Sequence, residues 1–359
     1  PAGKPQRMSL VDEAVAVRAG EALDAHRLGA YLAQQLPGLA LPLAVRQFPS
    51  GFSNLTYLLT AGDVELVLRR PPFGTRPKSG HDMGREFRVL SALRRGFAEC
   101  PRPVLNCTDE SVIGAPFYVV ERIRGTILRR DYPPELPATP GLVRAQQTAL
   151  VDALARLHGL DYRALGLAEL GRPDGYVARQ VEGWAARYAT AQTADAPPAE
   201  AVTGWLASHL PPESQLAALI HNDYKLDNVV FDADSPARLI GVLDWEMATI
   251  GDPLMDLGCS LAYWIEAGDG PELLATRMLP THLPGSLTRA ELLERYASQS
   301  GRALPAFAFY RVFGLFRLAV IVQQIYFRYF HRQTRDPRFA ALGPMARILI
   351  DRALAETRV

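Results

Sequence analysis

One polar segment, residues 221–228 with the sequence HNDYKLDN, constrains the fold of this chain more than any other. Two short apolar runs follow it, 229–231 and 239–243, and a turn rich in Asp, Ser and Pro separates them. Apolar runs of this length around such a turn predict a β-hairpin. A hairpin reverses the chain, so the sequence predicts that it brings Asp244 back beside Asn228.

The residue types in these segments suit phosphoryl transfer from a nucleotide. That reaction needs a carboxylate that orients the attacking hydroxyl, and Mg²⁺ that holds the phosphates. Mg²⁺ prefers oxygen ligands and takes one or two from protein carboxylates. Asp223 is therefore a candidate base, and Asn228 and Asp244 are candidate metal ligands. Taken singly, each is better explained as an ordinary turn residue; the joint pattern favours the functional interpretation, with His221 in a structural role.

The same segments resemble a known family. The chain is similar to the aminoglycoside phosphotransferases, relatives of the protein kinases that phosphorylate hydroxyls of small molecules. Within them it most resembles the kinase-like domain attached to some acyl-CoA dehydrogenases. The resemblance rests on segment 221–228, on Asp244-Trp245 and on the turn Gly251-Asp252-Pro253, and it extends over roughly residues 25 to 345.

The resemblance implies a fold and a division of the chain. The expected class is α+β, a bilobal protein-kinase-like fold with a small antiparallel-sheet N-lobe and a larger, mainly helical C-lobe. Residues 1–24 are expected to form an N-terminal tail or helix, 25–123 the nucleotide-binding N-lobe, and 124–359 the catalytic and substrate-binding C-lobe.

The resemblance also implies ATP and Mg²⁺ as cofactors, with Asp223 as the base and Asn228 and Asp244 as metal ligands. Lys225 follows the base by two residues, where a cation offsets developing charge on the transferring phosphate. A solvated loop lysine is an equally weighted alternative. Asp256 is expected to brace the catalytic loop through backbone N–H groups.

Residues 47–60 predict a second hairpin, with apolar strand residues on either side of a small-residue turn. Its turn resembles the family's phosphate-binding loop at Gly51, Ser53 and Asn54. Backbone N–H groups and a hydroxyl in such a turn bind phosphate oxygens. Because the turn has one glycine, an ordinary β-turn explains it as well.

The run 64–70 alternates as a strand, and Arg69 aligns with the phosphate-binding lysine of many kinases. Arginine grips phosphate with a planar fork and is not a simple substitute for lysine, so this is a departure from the family. Arg70 is the alternative if the register shifts by one, and a pair of surface arginines remains a third interpretation. Apolar spacing predicts a helix over 82–93, and by resemblance Glu86 matches the family's helix glutamate and is the expected partner of Arg69.

Residues 116–125 read as a buried strand entering a polar connector, where kinases join their lobes. By resemblance, groups near Glu121, Arg122 and Ile123 contact the adenine edge.

Apolar spacing predicts helices in the rest of the chain. They cover residues 142–160, 177–209 with one interruption, 254–264, 290–299 and 307–330. The last is apolar enough to raise the question of a membrane span, but arginines and glutamines interrupt it. Charged groups at mid-helix cost roughly 2.5–3.5 kcal/mol each on insertion, so we expect a buried core helix.

The near balance of charge, a net +1, gives no basis for binding nucleic acid or membranes. Three cysteines without metal-like spacing favour a reducing cytoplasm over a disulfide framework. The sequence thus predicts an ATP-dependent kinase of a small-molecule hydroxyl, with hydroxyacyl derivatives and antibiotic-like compounds among the open acceptors. The alternative is a catalytically weak or inactive nucleotide-binding regulator of the same fold, prompted by Arg69 and the single glycine of the loop.

Overall fold

The computed structural model of the protein describes residues 10–49, 54–74, 82–212, 217–304, 307–334 and 336–358. The chain divides into two compact units. The first comprises Pro1–Ile127 and Val229–Glu246, and the second comprises Leu128–Asn228 and Met247–Val359.

The described residues form strands mainly in the first unit and helices mainly in the second. The strands, in chain order, are β1 (Ala44–Gln47), β2 (Leu55–Ala61), β3 (Val64–Arg70), β4 (Pro103–Cys107), β5 (Phe117–Glu121), β6 (Ala218–Ile220), β7 (Val229–Phe231), β8 (Leu239–Val242) and β9 (Thr249–Gly251). The α-helices are α1 (Ala25–Gln35), α2 (Met83–Leu93), α3 (Pro140–His158), α4 (Tyr176–Thr190), α5 (Glu200–Ser208), α6 (Pro253–Ala262), α7 (Pro271–Ala275), α8 (Arg289–Ser300), α9 (Phe307–Phe330) and α10 (Leu342–Glu356).

The first unit is built on an antiparallel sheet of five strands in the order β1-β2-β3-β5-β4. Alternate residues of the central strands, such as Tyr57, Leu68 and Phe117, share one face and are fully buried with Leu28 and Leu32 of α1. Side chains in a strand alternate between faces. Arg69 therefore points away from this apolar core, to the face where α2 lies, and its register partner on β5 is Tyr118.

Helix α2 and the hairpin β7–β8 complete the polar side of the first unit. The Asp82 side chain caps α2 by accepting a hydrogen bond from the backbone N–H of Arg85 at 2.9 Å. Val89, Leu90 and Glu86 lie on the buried side of the helix. The predicted hairpin is present: its strands pair antiparallel, with Val229 opposite Val242, and its second strand leads directly to Asp244.

The second unit is mainly helical. Its two short strands, β6 and β9, pair antiparallel; β6 ends just before the polar loop 221–228, and β9 ends just before α6. Helices α6 and α9 cross at two glycines. A Cβ atom on Gly258 would lie 2.2 Å from the carbonyl oxygen of Tyr310, and one on Gly314 would lie 2.1 Å from the carbonyl oxygen of Gly258. The two helix backbones are thus in direct contact, a spacing that no larger residue permits.

This crossing predicts a stability effect. We expect Gly314→Ala to lower the free energy of unfolding by about 1–3 kcal/mol, because the added methyl forces the helix backbones apart. Gly204→Ala in α5 is the matched control, since a Cβ there meets no atom within 4 Å. It should raise stability by about 0.5–1 kcal/mol through helix propensity. Urea unfolding of both variants checks the prediction, and equal effects would contradict it.

Helix α9 is, within the described residues, the one helix long and apolar enough to cross a membrane. Of its most apolar window, 72% is buried inside the protein, and Phe313, Phe316 and Arg317 are among its buried residues. This burial is what the interpretation of α9 as a core helix predicts.

Candidate functional site

The loop between β6 and β7 brings three of the predicted site residues together in the second unit. The carboxylate of Asp223 accepts hydrogen bonds on Oδ2 from Lys225 Nζ at 2.6 Å and from Asn228 Nδ2 at 2.8 Å. The side chain of Asp223 is 22% exposed, so solvent and ligands reach it. With Nδ2 of Asn228 committed to Asp223, its Oδ1 is the atom left to bind a cation.

Lys225 is a partly buried member of this group and not a solvated loop lysine. Its ammonium lies 3.3 Å from Asp227 Oδ1 and 5.6 Å from the centroid of the Tyr263 ring. Burial alone would lower the pKa of Lys225, but the carboxylates of Asp223 and Asp227 outweigh it and raise the pKa above its ordinary value. The lysine is therefore charged at neutral pH and holds the carboxylate of Asp223 in place.

Asp256 of α6 braces the loop, as predicted. Its fully buried carboxylate accepts hydrogen bonds from the backbone N–H groups of His221 at 2.7 Å and Asn222 at 2.8 Å. Burial would raise the pKa of Asp256, but the hydrogen bond from His158 and the neighbouring His221 hold that pKa below its ordinary value. The carboxylate is thus ionised and anchors the residues that immediately precede Asp223.

Two residues that the sequence did not mark extend this bracing. His158, at the end of α3, places Nε2 3.1 Å from the carboxylate of Asp256, and its Nδ1 lies 2.8 Å from the hydroxyl of Tyr296. Arg317 of α9 is buried and donates to the backbone carbonyl of Asn222 at 2.7 Å. A lone arginine among buried apolar residues was the available signal for Arg317, because a buried charge needs a specific partner.

His221 has the structural role that the sequence predicts. It is fully buried, and its Nδ1 accepts a hydrogen bond from the backbone N–H of Asp223 at 3.2 Å. Its ring is thereby used to shape the loop.

Backbone strain coincides with the two polar segments. Asn222 and Asp244 have φ values of 65° and 66° and are two of the three described non-glycine residues with positive φ. A positive φ is uncommon outside glycine, although Asn and Asp tolerate it best. Such strained residues cluster at functional sites, where surrounding contacts enforce them.

In the first unit, Arg69 contacts two of the predicted site residues. Its Nη1 lies 2.6 Å from Glu86 Oε1, which confirms the predicted pair, and its Nη2 lies 2.9 Å from Asp244 Oδ1. The sequence did not anticipate Glu246, whose Oε2 lies 3.7 Å from Arg69 Nη2 and accepts a hydrogen bond from Asn54 Nδ2 at 2.6 Å. The planar fork of one arginine thus orients the candidate metal ligand Asp244.

Opposite charges on the partly buried Arg69 and the buried Glu86 stabilise this geometry. Glu86 is 2% exposed, and burial raises its pKa against the opposing charge of Arg69. Burial alone would lower the pKa of Arg69, but Glu86, Tyr118 and Asp244 raise it well above its ordinary value. The guanidinium is always charged, so it stays paired with the carboxylates.

This geometry predicts the effect of replacing Arg69 by lysine. We expect Arg69→Lys to lower the free energy of unfolding by about 1–3 kcal/mol, because one ammonium cannot replace both charge-assisted hydrogen bonds. Arg88→Lys on the exposed side of α2 is the control and should leave stability unchanged. Chemical denaturation measures both, and equal stability of Arg69→Lys and the native protein would contradict the prediction.

The other predicted nucleotide-binding residues have separate positions. Gly51 and Ser53 lie outside the described residues. Glu121 ends β5, is exposed and lies 3.3 Å from Arg102. Ile123 packs against Gly241 of β8, where an added Cβ would lie 2.7 Å from Ile123 Cδ1. No observation tests the expected contact of these connector residues with adenine, which stays a prediction.

The candidate metal ligands suit a cation that shares its coordination with other groups. Within the described residues no cluster of three or more His, Cys, Asp or Glu side chains forms a metal cage. Mg²⁺ needs none, since it keeps water and binds nucleotide phosphates beside one or two protein oxygens. The Asn228 amide oxygen, in the second unit, and the Asp244 carboxylate, in the first, are each of this ligand type; that they bind one ion stays a prediction.

Comparison with known proteins agrees with this chemistry. Residues 44–310 match the profile of the phosphotransferase enzyme family. Acyl-CoA dehydrogenase family member 11 of Gallus gallus is 35% identical over 325 residues, which are 87% of this chain and 41% of that protein. The chain thus spans about two fifths of the length of that relative.

Two solved structures show the fold. A candidate aminoglycoside phosphotransferase from Ralstonia eutropha is 31% identical, with a TM-score of 0.79 over 94% of this chain and 99% of that one. The ternary complex of streptomycin, ATP and APH(2″)-IIa is 16% identical, with a TM-score of 0.55 over 84% of this chain and 90% of that one. Together with the five-stranded antiparallel sheet and the mainly helical second unit, they confirm the predicted α+β, kinase-like fold.

Proposed function

We propose a function on the premise that this chain belongs to the phosphotransferase enzyme family, as its resemblance to the aminoglycoside phosphotransferases predicted. Members with this architecture phosphorylate small molecules, and the chain is a phosphotransferase by family. Its reaction, in our proposal, is the ATP-dependent transfer of the γ-phosphate to a hydroxyl of a small-molecule acceptor. The observation that carries this proposal is the arrangement around Asp223, a reachable carboxylate that Lys225 and Asn228 hold in one orientation.

The proposed roles follow from the contacts. Asp223 orients the acceptor hydroxyl and accepts its proton as the oxygen attacks the γ-phosphorus and the bond from that phosphorus to the departing ADP breaks. Lys225 keeps the carboxylate in place and offsets negative charge on the transferring group. Arg69, aligned by Glu86, binds the nucleotide phosphates, with backbone N–H groups of the loop at 51–54 as further donors.

Asn228 and Asp244 are the proposed Mg²⁺ ligands. When bound there, the ion would neutralise negative charge that develops on the nucleotide phosphates. The hydrogen bond from Asn228 Nδ2 to Asp223 directs the amide oxygen, and the ion pair with Arg69 directs the carboxylate of Asp244.

A regulator that binds nucleotide without turnover has less support. That alternative rested on the arginine at position 69 and on the sparse glycine loop. Arg69 makes the helix contact expected of the family's lysine and adds one to Asp244, so the departure from lysine does not by itself remove the phosphate-binding contacts.

The three cysteines are free and buried thiols, which supports our proposal of a cytoplasmic location.

The function is tested by transfer of labelled γ-phosphate from ATP to compounds of a metabolite extract. We expect a labelled product that depends on Mg²⁺ and disappears when EDTA removes the ion. Asp244→Ala serves as a variant that lacks one proposed ligand, and Asp351→Ala, at an exposed position of α10, is its matched control. Absence of any labelled product with the native protein, or full transfer by Asp244→Ala, would refute the proposal.

A further inference from the structure

A cavity of about 310 Å³ lies in the helical unit and reaches the loop that carries the candidate base. Asn222, the residue before Asp223, forms part of its wall together with Tyr176, whose hydroxyl donates to Asn222 Oδ1 at 3.2 Å. A ligand held in this cavity is therefore adjacent to the loop at the point where the proposed chemistry takes place.

The wall of the cavity is strongly cationic. Ten described residues line it, and four of them are arginines from three parts of the chain: Arg172, Arg179, Arg187 and Arg317. Neither Asp nor Glu is among those ten. Because arginine does not lose its proton in proteins, the cavity carries four positive charges at any physiological pH.

Carboxylates of the protein do not neutralise this charge by direct pairing. Arg317 donates to a backbone carbonyl, that of Asn222, and Arg179 donates to the backbone carbonyls of Arg172 and Asp174. In the part of the chain that the structure describes, none of the four arginines forms an ion pair with Asp or Glu. The carboxylate of Asp223 acts on Arg317 at longer range, and guanidinium groups without a direct carboxylate partner are available to pair with a bound anion.

An aromatic ring orders two of the guanidinium groups. The central carbon atoms of Arg187 and Arg317 lie over the Trp184 ring, 4.7 Å and 5.0 Å from its centroid. Trp184 is itself buried, and its Nε1 donates to Gln180 Oε1 at 3.2 Å. Stacked guanidinium groups present fixed pairs of N–H donors, a geometry that matches the oxygens of carboxylate and phosphate.

We propose that this arginine cavity binds an oxyanion group of the acceptor, so that the acceptor is an anionic hydroxyl compound. The inference rests on the proposed function, because it deepens the choice of acceptor for the same site. Carboxylates and phosphates share the chemistry that arginine recognises. Polycationic acceptors such as aminoglycosides, and cationic amino alcohols, are repelled by the same four charges.

Direct binding tests the proposal without turnover. Isothermal titration at low salt compares glycerol 3-phosphate and glycerate with uncharged glycerol and cationic choline. We expect at least one anionic probe to bind and glycerol and choline not to bind. Arg187→Gln and Arg172→Gln remove exposed guanidinium groups, so the fold should be retained. Each substitution should lower the affinity for the bound anion by roughly tenfold.

Two control variants locate the bound anion. Arg328→Gln removes an equal charge from an exposed position of α9 and should leave the affinity unchanged. Arg69→Lys alters the proposed nucleotide-phosphate site and should also leave it unchanged. Loss of anion binding in Arg69→Lys but not in the cavity variants, equal binding of glycerol, or no binding of either anion would overturn the proposal.

The outcomes also separate this inference from the proposed function. Binding of glycerate identifies a carboxylate as the recognised group, and binding of glycerol 3-phosphate identifies a phosphate. A protein that binds these anions through the cavity arginines but transfers no phosphate to any compound supports the cavity and refutes the kinase. A protein that phosphorylates a cationic acceptor supports the kinase and refutes the cavity.

Discussion

Replacement of Asp223 by Asn should abolish phosphate transfer while leaving the protein folded. The variant keeps the size of the side chain and loses the negative charge that orients the acceptor and accepts its proton. General-base catalysis contributes roughly 10²–10⁴-fold to rate, and we expect kcat to fall by about that factor. The affinity for nucleotide should change little, because Asp223 is proposed to contact the acceptor side of the reaction.

Asp234→Asn is the matched control for this variant, since it makes the same chemical change at an exposed turn of the β7–β8 hairpin. Its kcat should equal that of the native protein. Circular dichroism should show native secondary structure for both variants, with a lower unfolding temperature for Asp223→Asn, because its amide loses the ion pair with the partly buried Lys225. Transfer by Asp223→Asn at close to the native rate would remove the proposed mechanism.

Replacement of Asp256 by Asn should destabilise the second unit and impair the same reaction indirectly. The amide keeps one oxygen but turns an NH₂ group toward donors that now bond to a carboxylate: the N–H groups of His221 and Asn222 and Nε2 of His158. A buried donor left unpaired costs ~1–3 kcal/mol. We expect the free energy of unfolding at pH 7 to fall by about 2–4 kcal/mol, measured by urea denaturation.

The stability difference between the native protein and Asp256→Asn should depend on pH in a definite direction. Because the folded protein lowers the pKa of Asp256, ionisation of this residue stabilises the fold fully above the ordinary carboxylate pKa. The contribution is lost as pH falls through the lowered pKa. The stability difference between native protein and variant should therefore be complete at pH 7 and shrink below about pH 4. Asp351→Asn, at an exposed position of α10, should show no such difference; a gap that widens in acid would contradict the assignment.

Local sequence patterns predicted the parts of the fold that depend on local physics. The alternation of 64–70 and the periodicity of 307–330 agree with the bounds of β3 and α9. The pair Arg69–Glu86 was expected from the resemblance to the family, and strand alternation agrees with it, because Arg69 lies on the opposite face from Leu68. The turn residues around 232–236 likewise specified the hairpin that leads to Asp244.

Contacts between distant segments could not be predicted in the same way. His158 reads as the end of a helix, and only the fold places it against Asp256, 98 residues later. The arginine cavity draws on α4, α9 and a loop before α4, so no local window contains its charge pattern. Glu246 directly follows the recognised pair Asp244-Trp245, but its contact with Asn54 depends on a pairing across 192 residues of chain.

The path of the chain between the two compact units has a consequence for how the protein can be divided. The polypeptide passes from one unit to the other after Ile127, after Asn228 and after Glu246. The strand-rich unit therefore includes residues 229–246, which lie in the sequence between two parts of the helical unit. No single cut in the chain separates the two units intact. Asn228 is the last residue before one such passage, and Asp244 lies two residues before the next. A truncation that keeps the strand-rich unit whole must therefore extend to Glu246, and one that keeps the helical unit whole must begin no later than Leu128.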